Sequence, residues 1–437
     1  MTMKFSGRLA IAAILLLAGA AWMVPYSDFI ANGARWQFQA AAFLMAAGWL
    51  IALTLRSISG RNFWTLAIAL RLILLPMQPG MDLHRYIWEG RIQTRGFNPY
   101  QHAPNAEALS ALRDQNWSEV QFKQVSAIYP PLAELGFRLL AVVSQSALWF
   151  KLAFVGVDLL VCLFLSGRFS FARSLLYAWN PLVLYSFAGG AHYDSWFIVA
   201  LVSAWLLWER GGLTKAAALV GSATALKWIS LPILVWAIPR VAHTKGIRKA
   251  LIAACIGVLP FLVAWFTVTH GDFHTSLWPK EFVFYAQSFD LIPAVLRWFS
   301  PSIFAHNPAY LLPLAVIGLL LLHSAGMTLF CERWLLALLA LSPMVHAWYF
   351  TWLIPFAVAT RNAGSIAVSV SAFAYFGISA LPGAPRDGWP LLFLENGIVW
   401  LPLFFGFGWS EYHRIRGIAE QTSRIPEYVR GLRLSSS

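Results

Sequence analysis

Long apolar runs alternate with short polar segments along most of this chain. A helix that crosses a bilayer needs about 20 apolar residues. The runs 8–26 and 37–55 meet that length, and a shorter run, 62–76, follows a basic turn. Lys4 and Arg8 precede the first run, and Arg56 and Arg61 lie between the second and third. Cytoplasmic loops collect Lys and Arg, so both groups are expected in the cytoplasm. The third run is then expected to emerge on the far side near Pro76. The first run ends in Met23-Val24-Pro25-Tyr26 without a small-x-small cleavage site, so it reads as a retained span.

Further runs at 131–147, 149–167, 171–188, 195–208 and 213–239 are closely spaced, and three of them hold Arg138, Asp158 and Lys227. Arg138 and Asp158 read as ion-pair partners inside the bundle. The run 213–239 has Arg210 and Lys215 before it and Arg240, Lys245, Arg248 and Lys249 after it. One crossing would put one cluster on the wrong side. Two half-helices broken near Lys227-Trp228, with Pro232 just beyond, remove the conflict, and such breaks are tolerated where they are buried in protein or line a cavity. The same conflict affects 131–167 without a solution in the pattern.

Spans are expected at 250–269, 308–330, 334–344, 347–360, 363–381 and 391–409, with far-side segments at 270–307 and 382–387. Asp272, Asp290 and Asp387 are expected to cap or solvate these loops. The fold expected is all-α, a polytopic membrane protein of roughly 11–13 transmembrane helices. Its parts are N-terminal transmembrane helices (1–76), an extracytoplasmic loop with short interfacial helices (77–130), a transmembrane bundle (131–410) and a basic, partly disordered cytoplasmic tail (411–437).

Composition agrees. The chain is 59% apolar and 12% charged, against about 25% charged in soluble domains. The net charge of +13 sits mostly in short loops, so it reads as topology and not as a nucleic-acid surface. Cys162, Cys255 and Cys331 form no CxxC pair and read as packing residues. His270 and His274 have metal-site spacing but lack the Glu of a metalloprotease helix. No metal and no cofactor are expected.

The polar loop 77–130 is where hydrated chemistry is expected. On a helix, Asp82, Arg85, Tyr86 and Glu89 share one face, and Gly96 with Asn98-Pro99-Tyr100 ends that helix. A carboxylate at a membrane–water boundary can act as general base toward a hydroxyl, or can pair with Arg85 or Arg91 to fasten the loop. Lys227, within an apolar run, is expected to face a cavity or a partner, either a lipid phosphate or a carboxylate such as Asp158. His192 and Asp194 follow two glycines, and Asp194 suits a helix N-cap before Ser195-Trp196-Phe197. His346 is a site candidate, whereas Trp348 and Tyr349 read as interfacial belt aromatics.

The segments Asp82-x-x-Arg85-Tyr86-x-Trp88-Glu89-Gly90-Arg91, Gly96-Phe-Asn-Pro-Tyr100 and Tyr129-Pro130-Pro131-Leu132 recur in a known pattern. With Asn180-Pro-Leu, Gly189-Gly-Ala-His-Tyr-Asp194, Lys227 with Pro232, and His346-Ala-Trp-Tyr349 through Pro355, the chain resembles polyprenol-phosphate-mannose-dependent mannosyltransferases of the GT-C superfamily. Those related to the bacterial alpha-mannopyranosyltransferases are most similar. The resemblance implies inverting transfer of a hexose, mannose first, from a polyprenyl-phosphate sugar to an extracytoplasmic glycan or glycolipid acceptor. The site would face the outside of a bacterial inner membrane. It implies Asp82 as general base. Arg85, Tyr86, Glu89, Arg91, Tyr129, His192, Asp194, Lys227 and His346 are the substrate-binding candidates. The donor is a substrate and not a cofactor, and the other partners are membrane lipids. Asp82 is followed by Leu83-His84, so no D-x-D metal pair is present. A transporter or flippase of lipid-linked sugar, a ligase using lipid diphosphates and an enzyme for another sugar remain the competing readings.

Overall fold

The computed structural model describes residues 7–27, 35–277, 279–324, 326–378 and 389–423. Helices are the only extended regular structure among the described residues, with one isolated bridge between Ser288 and Met344 in place of any strand. The chain is thus an all-α polytopic membrane protein. Helices α1 (Gly7–Met23), α2 (Arg35–Leu53) and α3 (Gly60–Leu74) form the first group. A Cβ on Gly19 would lie 2.7 Å from Met45 Cγ and 2.8 Å from the Ala41 carbonyl. The bare glycine lets α1 and α2 approach closely, as small residues do inside membranes.

The polar loop holds α4 (Met81–Thr94), a 3₁₀ turn at Glu107–Leu112 and the short α5 (Gln115–Glu119). Next come α6 (Pro131–Val143) and α7 (Ala147–Arg168). Here the topology conflict resolves. At 13 residues α6 is only roughly 20 Å long, and it packs along α4, where a Cβ on Gly90 would meet the Phe137 carbonyl at 2.5 Å. Lys151, early in α7, donates to the carbonyls of Leu75 (3.0 Å) and Met77 (2.5 Å) just past α3. The segment between therefore leaves and returns at one end of the bundle, and α7 is the crossing helix.

Then follow α8 (Phe171–Ala178), α9 (Pro181–Leu184), a π-helical turn at Tyr185–Gly189, α10 (Ser195–Glu209), α11 (Leu213–Leu226), α12 (Leu231–Lys245) and α13 (Ile247–Thr269). The expected break is present, since α11 ends at Lys227 and α12 starts after a 3₁₀ turn at Trp228–Ser230. Arg168 pairs with Glu209 at 3.0 Å, joining the ends of α7 and α10 away from Asp82.

The remaining helices are α14 (Lys280–Tyr285), α15 (Ile292–Phe299), α16 (Leu311–Leu321), α17 (Met327–Leu341), a 3₁₀ segment at Ala347–Trp352 leading into α18 (Ile354–Thr360), α19 (Ala363–Ser371), α20 (Ala374–Ile378) and α21 (Trp389–Ser423). The run 308–330 is not one span, because α16 stops at Leu321. Arg240 draws in the Leu322 carbonyl (2.6 Å), and Trp236 donates to the Ser324 carbonyl (3.3 Å), fixing a turn there. Of the tail expected at 411–437, residues 424–437 lie outside the described residues and the first part is helical. Helix α21 continues through Glu411, which pairs with Arg333 at 2.9 Å, to Ser423. The turn 382–387, with Asp387, lies outside the described residues.

Among the described residues, four helices are long and apolar enough to cross a bilayer: Gly7–Tyr26, Arg35–Leu53, Ala147–Arg168 and Ile247–Thr269. On α13, Ile256, Leu259 and Val263 are 51%, 55% and 52% exposed. Such an exposed apolar stripe on a helix of this length and hydropathy fits contact with lipid.

Asp158 is an inner ion-pair partner as expected, but with Arg71, not Lys227. Its Oδ2 lies 2.6 Å from Arg71 Nε, with both side chains almost wholly buried. Tyr177 donates to its other oxygen at 2.8 Å. Arg138 forms no ion pair among the described residues, and Asp290 pairs with Arg297 at 2.7 Å instead of only solvating its loop. Removing one partner of a buried pair costs about 3–5 kcal/mol, whereas replacing both with apolar groups is often neutral. Asp158→Leu is expected to lower the thermal midpoint in detergent micelles sharply, and Arg71→Met/Asp158→Leu to recover most of it.

Candidate active site

Four interruptions of helix meet at the end of the bundle where α4 begins. The first is the N-terminus of α4, with Asp82 in its first turn. The second follows the π-helical turn. Ala191 takes a left-handed backbone (φ 61°), a conformation that costs L-residues energy, and so swings His192 and Asp194 inward. The Gly80 N–H donates to the Gly190 carbonyl at 2.9 Å and fixes these two segments together. The third is the α11–α12 break at Lys227. The fourth is the turn after α17, held where Val345 N–H donates to Ser288 O at 2.7 Å, which delivers His346 and Trp348.

These segments and the loop before α6 enclose a cavity of about 40 Å³. Its lining includes Asp82, Tyr86, Tyr129, Tyr193, Asp194, Lys227, His346, Trp348 and Tyr349. That volume holds water rather than a hexose, so a sugar must engage it from the open side, where the Asp82 side chain is 38% exposed.

His192 lies behind Asp82, only 2% exposed, with Nδ1 3.4 Å from Asp82 Oδ2. The separation is that of an ion pair, and Nδ1 makes no hydrogen bond to another of the described residues. Trp348 is clamped between two imidazoles: its ring stacks on His192 (centroids 3.8 Å, 15°) and on His346 (4.4 Å, 11°). With both faces covered, its indole cannot serve as a sugar platform and instead fixes the two histidines. His346 Nδ1 lies 2.9 Å from the Tyr375 hydroxyl.

The Lys227 ammonium lies 2.5 Å from Asp194 Oδ1, which also accepts from Trp352 Nε1 at 2.7 Å. The rings of Tyr349 and Trp352 stand 4.7 and 4.6 Å from the ammonium. Asp194 therefore sits at the N-cap position of α10, but its side chain caps nothing there and turns to the lysine instead. A Lys has three donors, so an Asp194-bound Lys227 still has N–H groups for an anion.

Burial favours the neutral acid at Asp82, but His192 first, then His346 and Lys227, outweigh it and hold the carboxyl below its ordinary range. Burial pushes His346 down to about 4 and Tyr129 well above 10, so both are neutral near pH 7. For His346 the sign follows directly. Between its ordinary 6.5 and about 4 the unfolded imidazole binds a proton that the folded one refuses. Stability is then lost as pH falls through that window. Thermal melts from pH 7 to 4 are expected to show this decline, and His346→Gln to flatten it.

Of the expected residues, Asp82, Tyr86, Tyr129, Asp194, Lys227 and His346 come together on the cavity, with His192 behind. Arg85, Glu89 and Arg91 do not line it. Arg85 bonds Glu89 (2.7 Å) and the carbonyls of Val125 and Ser126 (2.6 Å each), which holds the loop leading to Tyr129. Glu89 is buried beside Glu134, to which Gln93 donates at 2.9 Å. Arg91 pairs with Asp114 at 2.5 Å. Sequence reasoning missed Tyr193 and Trp352 and placed Trp348 and Tyr349 in an interfacial belt. The signal was present in the His346-x-Trp348-Tyr349 spacing. Among the described residues no three His, Cys, Asp or Glu side chains group as metal ligands would. The arrangement offers a carboxylate base, one cation and an aromatic wall.

The family model described as Alpha-(1->6)-mannopyranosyltransferase, N-terminal domain, matches residues 7–243, more than half of the chain. No curated protein and no solved structure matches.

Proposed function

The chain belongs to the alpha-(1->6)-mannopyranosyltransferase family, a family of membrane mannosyltransferases, and from that premise we propose that it moves mannose from a polyprenyl-phosphate donor to a glycan or glycolipid hydroxyl with inversion. The observation that carries this reading is the facing of Asp82 and Lys227 across one cavity. Asp82 accepts the acceptor's hydroxyl proton as that oxygen bonds to the anomeric carbon. The bond from that carbon to the phosphate oxygen breaks, and its electron pair leaves with the lipid phosphate. The leaving group is already ionised, so it needs positive charge more than a proton, and Lys227 supplies it. His192, fixed by Trp348, keeps the carboxylate ionised and aimed. Attack from the face opposite the phosphate turns a beta-linked donor into an alpha-mannoside.

The cavity lies opposite the end that gathers Arg168, Arg173, Arg240 and Arg333. By the positive-inside rule that end is cytoplasmic, and the site faces outward from the bacterial inner membrane. The lipid tail remains among the helices while its head reaches Lys227. The test is transfer by the purified full-length protein in lipid nanodiscs, with polyprenyl-phosphate mannose and a nucleotide-linked mannose offered separately. Alpha-linked product from the lipid donor alone is expected. Product from the nucleotide donor alone, or a beta-linked product, would sink the reading.

A further inference from the structure

The small cavity at Asp82 leaves no room for an acceptor glycan, but a second concavity lies on the other side of α4. We propose that this groove binds the carbohydrate chain of the acceptor, a neutral, hydroxyl-rich oligosaccharide. Its volume is about 390 Å³, inside the range of roughly 300–1,000 Å³ typical of small-molecule sites. Gln78 comes from the turn before α4, His84 and Ile87 from α4, Gln115 and Asn116 from α5, and Gln145 from the α6–α7 link.

The lining chemistry selects the ligand. An amide presents donors and an acceptor side by side, the complement of a sugar hydroxyl, which does both. The side chains of Gln78, Gln115 and Gln145 converge here from three segments, and none makes a hydrogen bond among the described residues. The floor is fixed. His84 Nδ1 lies 2.9 Å from Asn116 Oδ1, and Asn116 Nδ2 donates to the His84 carbonyl at 3.0 Å. No Lys or Arg lines the groove, whereas Asp114 and Glu119 do. Arg91 already neutralises Asp114, and with no cation on its lining the groove offers a phosphate no counter-charge, so the charged donor goes to Lys227 and the uncharged acceptor to this side.

Position supplies the mechanism. Residues 84 and 87 of α4 face the groove and residues 82 and 86 the cavity, the two sides of one helix. Between them runs the open first turn of α4, where Met81 is 55% exposed. A glycan lying in the groove rounds that turn to present its terminal hydroxyl to Asp82. A single sugar cannot occupy both places, so acceptor quality depends on chain length.

This placement rests on the proposed transfer, and the experiment separates the two. Full-length protein in nanodiscs is titrated with alpha-(1→6)-linked mannotriose in the absence of donor, and mannotriose and methyl alpha-mannoside are then compared as acceptors. Gln115→Ala/Gln145→Ala removes two side chains that hold no part of the fold, and an unchanged thermal midpoint checks this. The double variant is expected to weaken mannotriose binding about tenfold and to raise its KM to match. Its kcat, and its KM for methyl alpha-mannoside, stay at wild-type values. Equal mannotriose binding by variant and wild type, or none by wild type, overturns the groove. Binding by wild type that the double variant loses, without transfer from the lipid donor, upholds the groove and defeats the transfer reading.

Discussion

Asp82→Asn is expected to lower kcat by about 10²–10⁴-fold, the usual contribution of a positioned general base, while leaving donor binding and the thermal midpoint near wild type. The substitution is nearly isosteric, and Asp82 lies at an open mouth, its side chain 38% exposed and 3.4 Å from His192 Nδ1, so the fold gives up little. The amide cannot accept the hydroxyl proton. The pH–rate profile is the second readout. Because His192, His346 and Lys227 hold the carboxyl below its ordinary range, Asp82 remains ionised well under neutrality. The wild-type rate is expected to stay level down to about pH 5 and to fall only as the carboxylate takes up a proton. The residual rate of Asp82→Asn should show no such limb. Equal transfer by both proteins would remove Asp82 from the chemistry. An acid limb centred near pH 6.5 would shift the role to an imidazole.

The break at Lys227 was legible because charge betrayed it. Basic clusters at both ends of an apolar run cannot both be cytoplasmic after one crossing, and α11 and α12 turn back at that residue. The non-crossing course of α6 was hidden for the opposite reason. Its residues are as apolar as a span, and what holds it at one end is Lys151 reaching carbonyls more than 70 positions earlier. The same limit concealed the partner of Lys227. A lysine in an apolar run announces that it needs a carboxylate, but Asp158 and Asp194 satisfy that pattern equally. Only packing decides that Arg71 takes the first. Arg85 and Glu89 show a further ambiguity. A charged helix face reads alike whether it meets substrate or the carbonyls of a neighbouring loop. Trp348 was misread because stacking between two histidines leaves no trace in hydropathy.

The Lys227–Asp194 pair yields the second large effect, and a double substitution separates its two roles. Asp194 is 1% exposed, so Lys227→Met alone strands a buried carboxylate with only the Trp352 N–H for company. The expected cost is about 3–5 kcal/mol, seen as a marked drop in thermal midpoint and loss of active protein. In Lys227→Met/Asp194→Asn no buried charge remains. The asparagine keeps an oxygen for Trp352, and the midpoint is expected to return close to wild type. If Lys227 also meets the donor phosphate, activity does not return with it. Loss of a charge-assisted contact is expected to leave kcat/KM for the lipid donor about 10- to 100-fold below wild type. KM for the acceptor should stay unchanged, because the acceptor's contacts lie elsewhere. Recovery of stability and transfer together would make Lys227 a strut and move phosphate recognition to another cation. Stability without transfer would assign the ammonium to the leaving group, with Asp194 holding one of its N–H donors and the phosphate taking the others.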